Sequence, residues 1–231
     1  MLLTVEDYRR QARKVLPRFV FEFIDGGAEH ETCLRANRDD FDRIRLTPRV
    51  LKDTREVDTT VQVYGATWRL PFALAPTGLN GVVRPGGDGM LARAAAELGV
   101  PFVLSTASNQ RAEDVRAMAS HGEQWLQLYV MQDRRLAEQL VRRARKAGYR
   151  ALVLTADVPV GGRRWRDVRN GFSMPFRITP GSGGMWRAGL DGRYACCAAG
   201  CRNSSIWPNT LLNPCRWRCR LPCLPAAWTA P

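Results

Sequence analysis

Polar side chains stand at the carboxyl ends of four apolar segments of this chain. Hydroxyl, amide and carboxyl groups of this kind can bind and orient a polar ligand, and strand ends are where barrel enzymes build their active sites. The alternative is that each residue only caps the helix that follows it. Four such positions in succession favour a shared site over four separate caps. They are Thr77, Ser105, Gln127 with Tyr129, and Thr155 with Asp157.

The segments that carry these residues alternate with helical patterns. Short apolar runs start at residues 72, 102, 125 and 151, and helical patterns cover 89–98, 112–119 and 133–147. Continuous apolar strands that alternate with helices predict a parallel α/β sheet covered on both faces. A doubly wound sheet and a (β/α)₈ barrel both fit. The segment after the first strand, residues 76–81, lacks the G-x-G-x-x-G spacing of a dinucleotide-binding sheet, which favours the barrel.

The first 70 residues predict helices followed by a mixed segment. Thr4 can cap a first helix with Asp7 in its first turn, Pro17 suits the start of a second helix, and Gly26 can end it. A third helix is predicted over 29–42 and a β piece over 59–63. We therefore divide the chain into a helical and mixed segment (1–70), a barrel segment (71–180) and a tail (181–231).

Composition excludes several classes of protein. The chain has 231 residues, of which 45% are hydrophobic and 25% charged, which is typical of a soluble globular protein. No apolar run is long enough to span a membrane and no signal peptide precedes the first helix, so we expect a cytoplasmic protein. The net charge of +13 suggests nucleic-acid binding as an alternative function. The basic residues are dispersed among acidic neighbours, however, so we expect no nucleic-acid partner.

The tail over residues 181–231 differs from the rest of the chain. It holds six of the seven cysteines, four of the seven tryptophans and no lysine, glutamate or valine. Cysteines at four-residue spacing could form a zinc site. A disulfide framework is a second alternative, but it would contradict the cytoplasmic assignment. Arg216-Trp217-Arg218 could form a nucleic-acid arm. We prefer a fourth interpretation, in which the tail is translated from the wrong reading frame, and we expect no metal site.

Six motifs follow one another in residues 4–180. The first is the helical segment 16–28, and the other five are APTGLNG (75–81), LSTASN (104–109), QLY (127–129), LTAD (154–157) and GRRWRD (162–167). Together they resemble the FMN-dependent L-2-hydroxy-acid dehydrogenase and oxidase family, in which segment 16–28 looks like the entry helix and the five further motifs fall in the family's order and spacing. Their sequences are closest to the mandelate dehydrogenase branch, with lactate dehydrogenases next.

The resemblance implies a (β/α)₈ TIM barrel with FMN at its carboxyl end. It places the backbone around Ala75, Pro76 and Thr77 against the flavin. Hydrogen bonds to the flavin ring system are implied for three strand-end residues, since donors aimed at the ring stabilise the charge of reduced flavin. These residues are Ser105, Gln127 and Thr155.

The resemblance also implies the substrate site and the partners. Tyr129 matches the active-site tyrosine, Arg164 matches an arginine that binds the substrate carboxylate, and Asp157 matches the carboxylate that orients a catalytic histidine. Arg164 read without the resemblance is one more surface arginine. The expected substrate is a small L-2-hydroxy acid, oxidised to the 2-oxo acid, with a quinone or oxygen left open as electron acceptor. Full-length members imply a homo-oligomer, and some relatives imply peripheral attachment to the inner face of a membrane.

Departures from the family pattern bear on activity. Phe23 replaces a tyrosine that contacts the substrate carboxylate, which removes one hydrogen bond. The two histidines of the chain, His30 and His121, match neither the position nor the context of the family's base. Small residues at Gly78 and Ala107 leave room for an aryl group and favour mandelate over lactate.

The chain also shows only four of the eight βα units that the family pattern requires. We therefore expect a barrel truncated after about four units, with exposed sheet edges. Such a chain is expected to be poorly soluble or partly molten, and to bind FMN weakly or not at all. The alternative to an active enzyme is an inactive fragment of one.

Overall fold

A computed structural model describes residues 1–157 and 160–172. The predicted tail over 181–231, with its candidate zinc cysteines, lies outside these residues. The described helices are α1 (Val5–Val15), α2 (Arg18–Asp25), α3 (Thr32–Arg43), α4 (Asn80–Val83), α5 (Gly87–Leu98), α6 (Ala112–Met118), α7 (Arg134–Ala147) and α8 (Trp165–Arg169). The described strands are β1 (Val61–Val63), β2 (Ala66–Trp68), β3 (Phe102–Leu104), β4 (Gln124–Tyr129) and β5 (Ala151–Thr155).

The N-terminal helices begin and end at the residues that the sequence marks. Thr4 and Asp7 form a reciprocal capping box at the start of α1, in which each side chain accepts from the other's backbone N–H. Pro17 precedes α2 and Gly26 follows it. The third helix begins at Thr32 rather than at residue 29, because residues 29 and 31 adopt positive φ.

A three-stranded parallel sheet in the order β3-β4-β5 forms the centre of the described structure. The predicted strand over 72–76 is wrong as a full strand, because only Leu74 pairs with Phe102, in a single parallel bridge. The structure therefore confirms the parallel α/β pattern in three strands and reduces the first of the four predicted strands to that bridge.

Helices α5, α6 and α7 cover one face of the sheet. Side chains at alternate strand positions, such as Leu104 and Leu126, pack with Val115 and Ala144 of the helices into a buried core. The helices α5 and α7 end at Gly99 and Gly148, whose φ angles of 67° and 91° are costly for any residue with a Cβ. Both helices end at the residues where the helical patterns over 89–98 and 133–147 end.

The other face of the sheet carries a different set of residues. Trp125, Gln127 and Tyr129 alternate with the core residues of β4, so they point to the opposite face. The antiparallel β1–β2 hairpin closes the amino end of this face, where the rings of Trp68 and Trp125 lie 5.4 Å apart. The carboxyl end remains for Gln127, Tyr129 and the loops that follow the strands.

Strand β5 forms one edge of the described sheet. Leu152 and Leu154 are 46% and 58% exposed, although their partners Leu126 and Leu128 on β4 are buried. Apolar residues at alternate positions of a strand are normally covered. Within residues 1–157 and 160–172, nothing covers this side of β5.

Candidate active site

Three parallel strands align their ends and bring three polar side chains into one hydrogen-bonded row. The Ser105 hydroxyl lies 3.4 Å from Gln127 Oε1, and Gln127 Nε2 donates to Thr155 Oγ1 at 2.8 Å. The three residues come from three successive chain segments, separated by 22 and 28 positions. The structure thus joins three of the residues that the sequence predicts to hold a cofactor.

A fourth residue, Thr106, fixes the orientation of the Gln127 amide. The main-chain N–H of Thr106 donates to the side-chain Oε1 of Gln127 at 3.0 Å, and the Thr106 hydroxyl donates to the main-chain carbonyl of Gln127 at 2.6 Å. The same hydroxyl accepts from the Tyr129 N–H at 3.2 Å. Ser105, Thr106 and Gln127 are each at most 5% exposed. We call Ser105, Thr106, Gln127 and Thr155 the strand-end cluster.

The strand-end cluster leaves hydrogen-bond capacity for a ligand. Because Thr155 Oγ1 accepts from Gln127, its own hydrogen can be donated elsewhere, and Gln127 Nε2 has a second hydrogen. Thr155 is half-buried and Tyr129 is 43% exposed, whereas Ser105 and Gln127 are buried. The cluster is therefore a rigid, uncharged set of groups with its free donors at the β5 side.

The loop over residues 75–81 packs against the loop that follows β3. The Leu79 N–H donates to the Ala107 carbonyl at 3.0 Å, and the Gly81 N–H donates to Asn109 Oδ1 at 3.1 Å. A Cβ on Gly78 would lie only 3.0 Å from the Ala107 Cβ, so the two small residues allow this close approach. Ala75, Pro76 and Thr77, which are predicted to contact a flavin, precede this contact.

Thr77 is held by the first residue of α4. Its hydroxyl lies within hydrogen-bonding distance of both polar atoms of the Asn80 amide, at 3.0 Å and 2.9 Å. Both Ala75 and Thr77 are exposed, and Pro76 is half-buried. The loop therefore presents accessible groups from a backbone that is fixed at both ends.

The two predicted substrate-binding residues, Phe23 and Arg164, meet although they are 141 positions apart. The Arg164 guanidinium lies 5.1 Å from the centre of the Phe23 ring and donates from Nη2 to the Phe23 carbonyl. Its Nε donates to Asp167 Oδ2 at 2.6 Å. The other oxygen of Asp167, which is 8% exposed, has no hydrogen-bond partner in the described residues. Arg164 is thus a held and half-buried arginine, not a free surface cation.

Charged residues dock α8 on α2, and so place Arg164. Asp25 accepts from both Arg9 and Arg166, with the Arg166 contact at 3.0 Å, and Glu31 accepts from Arg166 at 2.6 Å. The hydrogen bond from Arg9, with a second from Arg166, lowers the pKa of Asp25 against the opposing effect of burial. A backbone hydrogen bond from Gly27, together with Arg166, lowers the pKa of Glu31. We call Arg9, Asp25, Glu31 and Arg166 the ion cluster.

Not every predicted site residue joins a common site. Asp157 is exposed just beyond β5, with no hydrogen bond or ion pair to a described residue. No hydrogen bond or ion pair joins Arg164 to the strand-end cluster in the part of the chain that the structure describes. Both histidines are exposed, and His121 precedes β4 at the amino end of the sheet, away from the cluster.

Sequence reasoning missed Thr106 and Asp167, although both lie inside the quoted motifs. Thr106 follows Ser105 directly, and its position after a buried strand was a usable signal. Asp167 closes the segment 162–167, three residues after Arg164, which is the spacing that brings side chains together at the start of a helix. Helix α8 was too short to be recognised from periodicity.

The described residues contain neither a metal-binding cluster nor a membrane-spanning helix. No group of three or more histidine, cysteine, aspartate or glutamate side chains in the described ranges could hold a metal ion. None of the described helices has the length and apolar character needed to cross a bilayer.

Comparison with known proteins gives a consistent family match. A family model described as FMN-dependent dehydrogenase matches residues 12–198. The chain is 45% identical over 174 residues to an (S)-mandelate dehydrogenase of Pseudomonas putida, which covers 75% of this chain and 44% of the relative. It is 47% identical over 169 residues to an L-lactate dehydrogenase of Caulobacter vibrioides, and the match covers 73% of this chain and 44% of the relative.

Solved structures match the fold as well as the sequence. The monotopic membrane protein (S)-mandelate dehydrogenase aligns with a TM-score of 0.77 at 40% identity, covering 86% of this chain and 52% of that one. A mandelate oxidase variant with the C4a-OH-FMN adduct aligns with a TM-score of 0.69 at 39% identity, covering 80% and 59%. The chain spans about half the length of the relatives it matches.

Proposed function

This chain belongs to the FMN-dependent dehydrogenase family, and on that premise we propose that it binds FMN at the strand-end cluster and oxidises an L-2-hydroxy acid to the 2-oxo acid. The observation that carries the proposal is the hydrogen-bonded row of Ser105, Gln127 and Thr155 across three parallel strands. The row lies at the carboxyl ends of the strands, which is where barrel enzymes build their active sites.

The residues present fit a flavin in their chemistry. An isoalloxazine ring offers hydrogen-bond acceptors along one edge, and the cluster has free donors on Thr155 and Gln127. Accessible backbone at Ala75 and Thr77 suits close approach of a flat ring. Bound FMN would supply a two-electron acceptor for the α-hydrogen of the substrate together with its electron pair.

Arg164 is the proposed group for the substrate carboxylate. Its guanidinium is permanently charged and already oriented by Asp167 and the Phe23 carbonyl, so little side-chain freedom is lost on binding. Phe23 contributes its ring to the arginine but no hydroxyl to the substrate. Tyr129, exposed next to Thr106, is the proposed neighbour of the substrate hydroxyl.

A second candidate function is FMN binding without turnover. Oxidation of a 2-hydroxy acid requires a base to take the hydroxyl proton. His30 and His121 are the only histidines of the chain. His30 is exposed between α2 and α3, His121 precedes β4 at the amino end of the sheet, and neither forms a hydrogen bond or ion pair with Asp157 in the described residues. Asp157 therefore has no histidine to orient among the described residues, which supports an inactive fragment as the alternative.

Small side chains favour an aromatic substrate within the proposed class. Gly78 and Ala107 are in contact, and neither carries bulk into the region beside Ser105. We therefore propose a mandelate-like substrate ahead of lactate.

A relative described as a monotopic membrane protein supports peripheral membrane attachment, which co-sedimentation of the chain with anionic vesicles would test.

One experiment separates the candidates. The full 231-residue chain is titrated with FMN by flavin fluorescence, and the complex is then mixed without oxygen with (S)-mandelate or L-lactate while the visible flavin band is followed. Bleaching by mandelate supports the oxidation, and a stable yellow complex without bleaching supports binding alone. Absence of FMN binding contradicts both.

Thr155→Val provides the matched variant for this titration. It keeps the shape of the side chain and removes the hydroxyl, so we expect FMN affinity to fall about three- to tenfold, which corresponds to one lost hydrogen bond. Thr67→Val, at an exposed position of β2, is the control and is expected to leave affinity unchanged. Equal affinity of wild type and Thr155→Val would contradict the assignment of the cluster.

A further inference from the structure

A buried carboxylate outside the strand-end cluster connects the two loops that carry most of the proposed flavin contacts. Asp88, in the first turn of α5, is 1% exposed. Its Oδ1 accepts from Asn80 Nδ2 at 2.7 Å, and its Oδ2 accepts from the Ser108 hydroxyl at 2.6 Å. Asn80 belongs to the loop over 75–81 and Ser108 to the loop over 105–110.

The partners of Asp88 are neutral, which makes its burial costly. No lysine, arginine or histidine forms an ion pair with Asp88 in the described residues, so hydrogen bonds and the amino end of α5 alone stabilise the charge. A buried charge of this kind gives strong, directional hydrogen bonds to both donors. It is therefore suited to fixing two loops in one relative position.

The hydrogen bonds continue from Asp88 to proposed flavin contacts on each side. Asn80 also donates to the Thr77 carbonyl at 3.1 Å and lies 2.9 Å from its hydroxyl. On the other side, the Ser108 N–H donates to the Ser105 carbonyl at 3.1 Å. Asp88 is thus linked to Thr77 through Asn80 and to Ser105 through Ser108.

We propose that Asp88 is a positioning residue of the flavin site, which holds the loops over 75–81 and 105–110 together without contacting the flavin. The inference rests on the proposed function for its consequence, since the loops matter because FMN binds against them. It predicts that loss of Asp88 weakens FMN binding through displacement of Thr77 and Ser105.

The test compares four forms of the full chain by FMN titration well below their melting temperatures. Asp88→Ala is expected to bind FMN about tenfold or more weakly, because two hydrogen bonds to a charged group are lost. Asp88→Asn is expected to recover most of the affinity, since its carbonyl can accept from Asn80 and its amide can donate to the Ser108 oxygen. Glu97→Gln, an exposed change on the same helix, is expected to have no effect.

A fifth form separates positioning from general stability. Val115 is fully buried against the helix-facing side of the sheet and contacts neither loop through a side-chain hydrogen bond. Val115→Ala is expected to lower the melting temperature with FMN affinity unchanged. If Val115→Ala weakens FMN binding as much as Asp88→Ala does, or if Asp88→Ala binds within about twofold of wild type, the proposal is wrong.

Hydrogen exchange of the FMN-free chain tests the loop contact independently of FMN binding. Asp88→Ala is expected to increase exchange at the amides of Leu79 and Gly81, which donate across the loop contact, and Val115→Ala is not. If wild type fails to bind FMN, the proposed function falls and exchange alone decides whether Asp88 fixes the loops. If Asp88→Ala does not fold, Ser108→Ala and Asn80→Ala replace it, each with an expected severalfold loss of affinity.

Discussion

The strand-end cluster and the ion cluster hold the molecule together by opposite means. The first consists of neutral side chains that are nearly all buried, joined by hydrogen bonds between neighbouring strands. The second consists of charged side chains, of which Arg9 and Arg166 are 38% and 32% exposed, joined across distant parts of the chain. Charged side chains are absent from the cluster that is proposed to contact the flavin ring, and they are present where α8 is docked on α2.

This difference has a physical reason. A buried neutral network keeps its geometry without a counterion and leaves its free donors to the ligand. An exposed ion cluster tolerates solvent, and its members are individually weaker because water screens them. We therefore expect changes in the strand-end cluster to alter both stability and FMN binding, and changes in the ion cluster to alter stability without altering FMN binding.

The largest effect is expected from Gln127→Met, which keeps the approximate shape of the side chain and removes its hydrogen bonds. The buried Thr106 N–H then loses its acceptor, at a cost of about 1–3 kcal/mol in the free energy of unfolding. FMN affinity should fall by about tenfold or more, since Thr155 loses the donor that orients it. Urea unfolding and FMN titration measure the two effects.

Gln62→Met, at an exposed position of β1, is the control for the Gln127 variant. It removes a side-chain hydrogen bond to Thr67 on the surface and is expected to change unfolding by less than about 0.5 kcal/mol. Similar losses for the two glutamine variants would remove the distinction between buried and exposed networks.

An intermediate effect is expected from Asp25→Asn, which removes the charge shared by Arg9 and Arg166. Asp25 is the most buried member of the ion cluster, with 7% of its side chain exposed, and we expect a loss of about 1.5–2.5 kcal/mol. FMN affinity should stay unchanged. Asp40→Asn, in an exposed pair with Arg43, is the control. Weakened FMN binding by Asp25→Asn would contradict the expectation that the ion cluster does not affect FMN binding.

The smallest effect is expected from Glu113→Gln, which removes an ion pair between α6 and α7. Glu113 accepts from Arg143 at 2.7 and 2.8 Å, and this hydrogen bond lowers the pKa of Glu113 to about 2. Because both side chains are about one-third exposed, solvent screening limits the loss to below about 1 kcal/mol.

The Glu113 effect should also depend on pH. The pKa of Glu113 is lower in the folded chain than in the unfolded chain, where it is about 4.3. The ionised group therefore stabilises the folded chain fully above pH ~4.3, and this contribution is lost as pH falls towards about 2. The difference between wild type and Glu113→Gln should therefore be full at pH 6 and shrink below pH 4. A difference that grows as pH falls would contradict the assigned pKa.

The strand-end cluster was predictable because of a simple geometric rule. Parallel strands end at one edge of a sheet, so polar residues that follow the apolar runs at 102, 125 and 151 had to meet. The helix stops at Gly99 and Gly148 were predictable from local conformation alone. The strand predicted over 72–76 was wrong in extent because apolar sequence alone does not determine how many residues pair.

The ion cluster and the contact between Phe23 and Arg164 were not predictable in the same way. Their residues lie 16 to 141 positions apart, and no local pattern indicates which arginine of an arginine-rich chain faces which carboxylate. The family resemblance placed Arg164 and Phe23 near a shared substrate, but the hydrogen bond between them follows only from the tertiary structure. Asp88 has no sequence signal beyond its place in the first turn of a helix.

The docking of α8 on α2 sets an order of events in folding. The contact between Asp25 and Arg166 closes a loop of 141 positions, whereas the strand-end hydrogen bonds close loops of 21 to 28. The entropy lost on closing a loop grows with its length, so short-range contacts form at lower cost. The sheet with its strand-end cluster is therefore expected to assemble first, and α8 to join α2 as a late step that delivers Arg164 to a preformed sheet.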